Sequence, residues 1–305
     1  MGTPEFAKKP LERLYSDGHD IAGVFTQPDK PSNRGMKVTF NPVKELAISR
    51  GTPIFQPASM RDTSVLSILK SLNCDQIIVV AYGKILPQEI LDLPPLGCIN
   101  IHGSLLPKYR GAAPIQWAVI SGETETGVTS MYMAADLDSG DMLLTKRTHI
   151  DDDETAGDLY SRLSVLGAEL VSETINAVSR GEAVRIPQNH SDATFAPPLK
   201  KDMSPIDWTD SAVMIKNKVR GLNPWPVATA ILCGTIYKIF SVAIGANDDH
   251  KSYAPGEIVA ANANELEVAC ADGTVIIKEL QAPGGKRMSA ADYLRGHRRQ
   301  LTIDS

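Results

Sequence analysis

The sequence predicts an α/β fold: a doubly wound parallel sheet over the first two-thirds, then a small β-barrel. Three observations carry this expectation. Strand-like and helix-like segments alternate up to about residue 180, the rhythm of βαβ units. Residues 75–81 contain a continuous apolar, partly β-branched run, the mark of a strand buried on both faces. Beyond residue 205 the texture changes to short strand-like runs separated by turn residues.

Taken in order, residues 20–26 read as a strand and 41–50 as a helix opened by Pro42. Residues 62–72 are helical by apolar spacing, 75–81 and 96–102 are strands, 113–121 a short helix and 126–133 another strand. A long helix over 155–180 places Leu159, Leu163, Leu166 and Leu170 at helical spacing. Residues 187–205, rich in Pro, Asn, Ser and Asp, read as a linker between a domain over 1–186 and a second over 206–305. A helix over 211–221 precedes strands at 227–232, 236–244, 256–260, 266–271 and 275–280, and a helix over 289–295 ends the pattern.

Composition sets the class. With 43% hydrophobic and 22% charged residues, the 305-residue chain has the balance of a globular protein with a buried core. No apolar run approaches the ~18–20 residues that span a bilayer. Cys74, Cys98, Cys233 and Cys270 lie far apart without metal-ligand spacing, which predicts reduced thiols in a cytoplasmic protein and no metal site. The net charge of −5 argues against a coat of basic charge. It is uneven, however: residues 1–199 carry −6 and residues 200–305 carry +1, with six cations against two anions over 278–299. Such a part admits an anionic partner, though an ordinary solvated face has the same composition.

The chemistry concentrates on Asn100-Ile101-His102, at the carboxyl end of a predicted central strand. Side chains two apart on a strand share a face, and open α/β sheets bind ligands at that end. An imidazole can trade protons near neutrality, and an amide can donate to a developing oxyanion. An isolated pair of this kind more often serves packing or capping. Here it opens a longer pattern: Gly103-Ser104-Leu105-Leu106-Pro107, then Arg110-Gly111-Ala112-Ala113-Pro114-Ile115 and Trp117, with Asp136-Leu137-Asp138-Ser139-Gly140-Asp141 further on.

This long, ungapped segment resembles the formyltransferases that use 10-formyltetrahydrofolate. Glycinamide ribonucleotide and aminoarabinose formyltransferases share its outline. Further segments narrow the resemblance to the branch acting on methionyl initiator tRNA: Gly2-Thr3-Pro4-Glu5-Phe6, Phe25-Thr26-Gln27-Pro28-Asp29-Lys30, Val80-Ala81-Tyr82-Gly83 and Arg220-Gly221-Leu222-Asn223-Pro224-Trp225-Pro226. The resemblance covers essentially the whole chain. It implies a Rossmann-like catalytic domain, an OB-like C-terminal domain that binds tRNA, and a monomeric enzyme that needs no metal.

The resemblance also implies site residues. Asn100, His102 and Asp138 would form the catalytic trio: an amide for the oxyanion, an imidazole that polarises the formyl oxygen, and a carboxylate that supports it while protons move. Ser104, Leu105, Leu106 and Pro107 match the folate-binding stretch, and Tyr82, Gly83, Ile85 and Leu86 would wall the pteridine pocket. Arg34 and Lys37, in a Gly/Pro/basic loop, would approach the tRNA acceptor stem. Lys218, Arg220 and Arg287 would track phosphates, joined by Lys200, Lys201, Lys216, Lys286, Arg295, Arg298 and Arg299. Trp225 reads as a core residue. One departure concerns Asp136, which stands where the family usually has Gly and adds a second carboxylate. Asp138 keeps the spacing to Ser139-Gly140-Asp141 and is the candidate.

Rival functions remain open at this level: a formyltransferase acting on an amino sugar, a hydrolase releasing formate from the same folate, and a tRNA-binding module without catalysis. The start of the chain carries its own expectation. Relatives place a short apolar strand before the Gly2-Thr3-Pro4 turn, whereas here Met1 stands directly before Gly2. The expectation is a longer natural chain and, for this one, a vacant slot or an exposed edge beside the strands at 20–26 and 75–81. Thr3 and Pro4 should cap the first helix as N-cap and N1.

Overall fold

A computed structural model describes residues 1–29, 39–245, 252–262 and 265–297. The chain divides into two compact units. One comprises Met1–Pro114, Glu125–His149 and Tyr160–Pro197, and the other Ile115–Thr124, Ile150–Leu159 and Pro198–Ser305.

In the first unit, helices start where the sequence offers a cap. In α2 (Pro42–Ser49) the Asn41 side chain accepts from Lys44 N at 3.0 Å. In α3 (Thr63–Leu72) Asp62 accepts from Ser64 N at 2.9 Å, and Asn73 ends the helix with a left-handed φ of 44°. Helix α1 (Glu5–Ser16) departs from expectation. Its N-cap is Pro4, without a side-chain cap. Thr3 Oγ1 instead accepts from Gln27 N at 3.2 Å, a tertiary contact that outcompetes the local one.

Strands β1 (Val24–Phe25) and β2 (Ile54–Phe55) form a separate parallel pair. The main sheet runs β3 (Ile77–Val79), β4 (Cys98–His102), β6 (Glu125–Tyr132), β7 (Met142–His149), with helix α4 (Gln88–Leu91) between β3 and β4 in sequence. Strand β5 (Arg110–Gly111) pairs in parallel with β8 (Phe195–Ala196), which lies in the segment read as a linker. Only β3–β4 is parallel in the main sheet; β4–β6 and β6–β7 are antiparallel. The wholly parallel sheet is therefore corrected to a mixed one. A parallel return needs a crossover helix. Helix α5 (Pro114–Ile120), at 7 residues, is about 10 Å long against about 26 Å for the 8-residue β6, and Ile115–Ile120 cluster with the other unit. Helix α6 (Ala156–Ser179) follows β7, with Leu163, Leu170 and Val171 buried.

Between β1 and β3 two residues bridge the ladder. Gly2 N donates to Phe25 O at 2.9 Å, Val80 N to Met1 O at 2.9 Å, and the Met1 amino group to Ile78 O at 2.6 Å. Beside them lies a cavity of about 140 Å³ lined by residues including Ala22, Gly23, Val24, Leu72, Ile77 and Ile78.

The second unit contains α7 (Ala212–Gly221), capped by Ser211, and a six-stranded antiparallel sheet. Its order is β11 (Ile258–Ala261), β12 (Leu266–Ala269), β13 (Thr274–Gln281), β10 (Thr235–Ile244), β9 (Ala228–Leu232), with β14 (Met288–Ser289) on β13 and α8 (Ala290–His297) last. Among the described residues no helix is long and apolar enough to cross a membrane. All four cysteines are unpaired; Cys98 and Cys270 are buried, and burial pushes the Cys98 thiol up to about 12.

Candidate active site

Asn100 and His102 stand on one face of β4, the strand held on both sides, by β3 and by β6. Both are buried, His102 to 5% exposure. The chain then turns sharply. Ser104 Oγ donates to Lys108 O at 2.6 Å, and Thr129 Oγ1 on β6 donates to Ser104 O at 2.7 Å while accepting from Leu106 N at 3.3 Å. These bonds return Tyr109, in a left-handed conformation (φ 61°), to His102, where its carbonyl lies 2.9 Å from Nε2.

Asp138 sits on the loop between β6 and β7 with φ 46°. Its Oδ2 accepts from Gly111 N at 2.8 Å and lies 3.6 Å from His102 Nδ1; its Oδ1 accepts from Asn100 Nδ2 at 3.4 Å. The three candidate residues thus meet. Asp136 is exposed, and its carbonyl accepts from Ser139 Oγ at 3.1 Å. Glycine at 140 is a steric requirement: a Cβ there would lie 1.9 Å from Tyr132 O.

The arrangement constrains the proton. A carbonyl only accepts, so His102 Nε2 must carry a hydrogen toward Tyr109 O. A second hydrogen, on Nδ1, makes the ring a cation facing the Asp138 carboxylate. Nδ1 is the ring nitrogen turned to that carboxylate, 3.6 Å away.

Sequence reasoning gave no role to the residues behind this pair. Gln188 and Arg110 are both buried, Arg110 to 5% exposure. Gln188 Nε2 donates to Asp138 O at 2.9 Å and Gly140 O at 2.7 Å. Its Oε1 accepts from Arg110 Nη2 at 2.7 Å and Nε at 3.1 Å. Arg110 stood inside the recognised motif, but nothing near Gln188 in sequence marks it.

The expected folate-contacting residues divide by exposure. Ser104, Leu106, Tyr82 and Leu86 are buried; Tyr82 Oη donates to Met60 Sδ at 3.2 Å, and burial pushes its phenol up to about 12. Gly83 and Ile85 are exposed, Leu105 and Pro107 half-buried. Gln27 Nε2 holds the Tyr82 and Gly83 carbonyls at 2.9 and 3.2 Å.

Of the expected tRNA contacts, Arg34 and Lys37 lie outside the described residues, as do Arg298 and Arg299. Lys218 Nζ donates to Pro205 O at 2.5 Å. Arg287 is exposed, paired with Glu279 and stacked over Phe240 at 4.6 Å. Arg220 is buried, donating to Asn217 Oδ1 at 2.9 Å and to the carbonyls of Asp151 (2.9 Å) and Glu154 (3.3 Å). These three bonds hold its Nε and Nη1 within the second unit. Trp225, expected in the core, is 52% exposed. The loop is anchored by buried Leu222, Asn223 and Val227, with Val227 N donating to Leu222 O, and Trp225 is left outside.

Comparison with known proteins gives concordant results. The formyl transferase family model matches residues 1–175, and that of the formyl transferase C-terminal domain matches 198–298. The chain is 49% identical over 297 residues to a methionyl-tRNA formyltransferase of Alkaliphilus oremlandii, covering 97% of this chain and 95% of that one. It is 47% identical to one of Acetivibrio thermocellus, covering 98% and 96%. Among solved structures, an N-formyltransferase from Helicobacter canadensis in complex with folinic acid and dTDP-3-aminofucose superposes with a TM-score of 0.65 at 16% identity, over 94% and 97% of the chains.

Proposed function

The chain belongs to the methionyl-tRNA formyltransferases, and on that premise we propose that Asn100, His102 and Asp138 carry the transfer of a formyl group from 10-formyltetrahydrofolate to the amino group of methionyl initiator tRNA. The observation that carries this reading is the convergence of an amide, an imidazole and a carboxylate at the end of β4, with Asp138 reaching both partners.

The folate supplies the formyl carbon on its N10. As the amine attacks, negative charge grows on the formyl oxygen. Asn100 Nδ2 is a preorganised donor for that oxygen, and His102, on the same face of β4, helps to polarise it. The new C–N bond forms and the bond to N10 breaks. The amine sheds a proton and N10 gains one, so the reaction is neutral in protons. The His102–Asp138 pair takes up the first proton and returns one to the leaving nitrogen. Ser104 to Pro107, pinned by Thr129, form a rigid floor, and Gly83 and Ile85 offer open surface for the pteridine. The antiparallel sheet of the second unit serves as an OB-like tRNA-binding module, with Arg287 and Lys218 among its cations. The enzyme works as a monomer in the cytoplasm.

The test is incubation with 10-formyltetrahydrofolate and charged initiator tRNA, scoring formyl-methionine and free formate. Formyl-methionine should accumulate with little formate. His102→Ala and Asn100→Ala should each lower turnover ~10²–10³-fold with the fold intact. Formate without formyl-methionine would make the protein a hydrolase and overturn the reading.

A further inference from the structure

We propose that Gln188 is a positioning residue for catalysis, held by Arg110, and that it sets the conformation from which Asp138 works. The inference rests on the assignment of Asp138 given above. Gln188 lies between the two stretches matched to family models, in a segment whose composition reads as a linker.

Asp138 adopts a left-handed backbone, uncommon for any residue other than glycine though better tolerated by aspartate than by most. Gly140, two residues on, packs so closely on Tyr132 O that no side chain fits. A loop in that state needs its carbonyls satisfied. Gln188 does this with one amide group, Nε2 donating to both Asp138 O and Gly140 O. The amide can face only one way. Its Oε1 accepts two hydrogen bonds from Arg110, which has no acceptor, so Nε2 must turn to the loop. Arg110 is fixed in turn by the β5–β8 pairing and by His190, whose Nδ1 lies 3.3 Å from Nη1 and Nη2. The next residue, Gly111, donates its N–H to Asp138 Oδ2. The same short strand therefore holds the carboxylate directly and its backbone through Gln188.

With the clamp removed, the loop relaxes and the carboxylate leaves His102 and Asn100, while the surfaces offered to the folate and the tRNA are untouched. Displacement of this kind costs on the order of 10²-fold in rate. Gln188→Ala and the nearly isosteric Gln188→Met are measured in the full chain, with melting temperature recorded beside steady-state formylation. The expected result is a kcat lowered about 10–100-fold in folded protein, with KM for both substrates within about twofold. Combined with Asp138→Ala, either change should cost less than about twofold more, because the clamp then has nothing to position.

Unchanged kcat in the folded single variants overturns the proposal. So does full additivity with Asp138→Ala, or failure of both variants to fold, either of which makes Gln188 a stability residue. Full turnover by Asp138→Ala itself overturns instead the catalytic assignment on which the proposal rests.

Discussion

Asp136 and Asp138 are two carboxylates on one loop, and geometry separates them. Asp138 has three partners at its carboxylate: Gly111 N, Asn100 and His102. Asp136 is exposed, with its contact made by its carbonyl. Replacing Asp138 by Ala should lower turnover by ~10² or more, since it removes one half of the proton-holding pair. Asp136→Ala should change turnover by less than about twofold. Steady-state formylation of the two variants checks this, and a reversed ranking would move the catalytic role to Asp136.

At the scale of elements, α2 is more than a surface helix. Its cap, Asn41, accepts from Lys44 N and also from Thr26 Oγ1 at 3.0 Å. Thr26 directly follows β1 and is fully buried. Asn41→Ala therefore loses a cap worth ~1 kcal/mol and costs part of the hydrogen bonding of a buried hydroxyl, together about 2 kcal/mol. Asn41→Asp keeps the acceptor and should stay within ~0.5 kcal/mol of the parent. Urea unfolding distinguishes the two. Equal loss in both would show that the cap geometry, and not the acceptor, is what matters. Elements also explain the corrected sheet: from Leu144 to His149 β7 alternates half-buried and exposed residues, as an antiparallel strand with one solvated face does, and its link to β6 is a loop too short for a parallel return.

For the whole molecule, the units do not coincide with two lengths of chain. Ile115–Thr124 and Ile150–Leu159 belong with Pro198–Ser305. Arg220 donates to Asp151 and Glu154 carbonyls, and Gly221 packs so closely that a Cβ would lie 2.4 Å from Ile120 Cγ1. A chain cut after Pro197 keeps residues 115–124 and 150–159 but removes what they pack on. Such a fragment should aggregate, bind an apolar dye and melt without cooperativity. Gel filtration and calorimetry check this; a monodisperse, cooperatively melting fragment would contradict it. Charge substitutions such as Arg287→Ala are thus a cleaner probe of the second unit's role than its deletion.

Much of this protein was legible in its sequence, and the physical reason is range. The helix starts at Asn41, Asp62 and Ser211 are set by a side chain reaching two or three residues along. The pairing of Asn100 with His102 on one face follows from strand period alone. What only the tertiary structure decided is long-range. Arg110 and Gln188 are 78 residues apart, and no local pattern announces that a Pro- and Asn-rich segment will return to clamp the Asp138 loop. Trp225 left the core and Arg220 was buried for the same reason. Burial of a guanidinium depends on carbonyls brought from a distant segment, and exposure of an indole on which neighbours anchor its loop. Chain-local forces select elements; the partners of each side chain exist only once the distant segments have met.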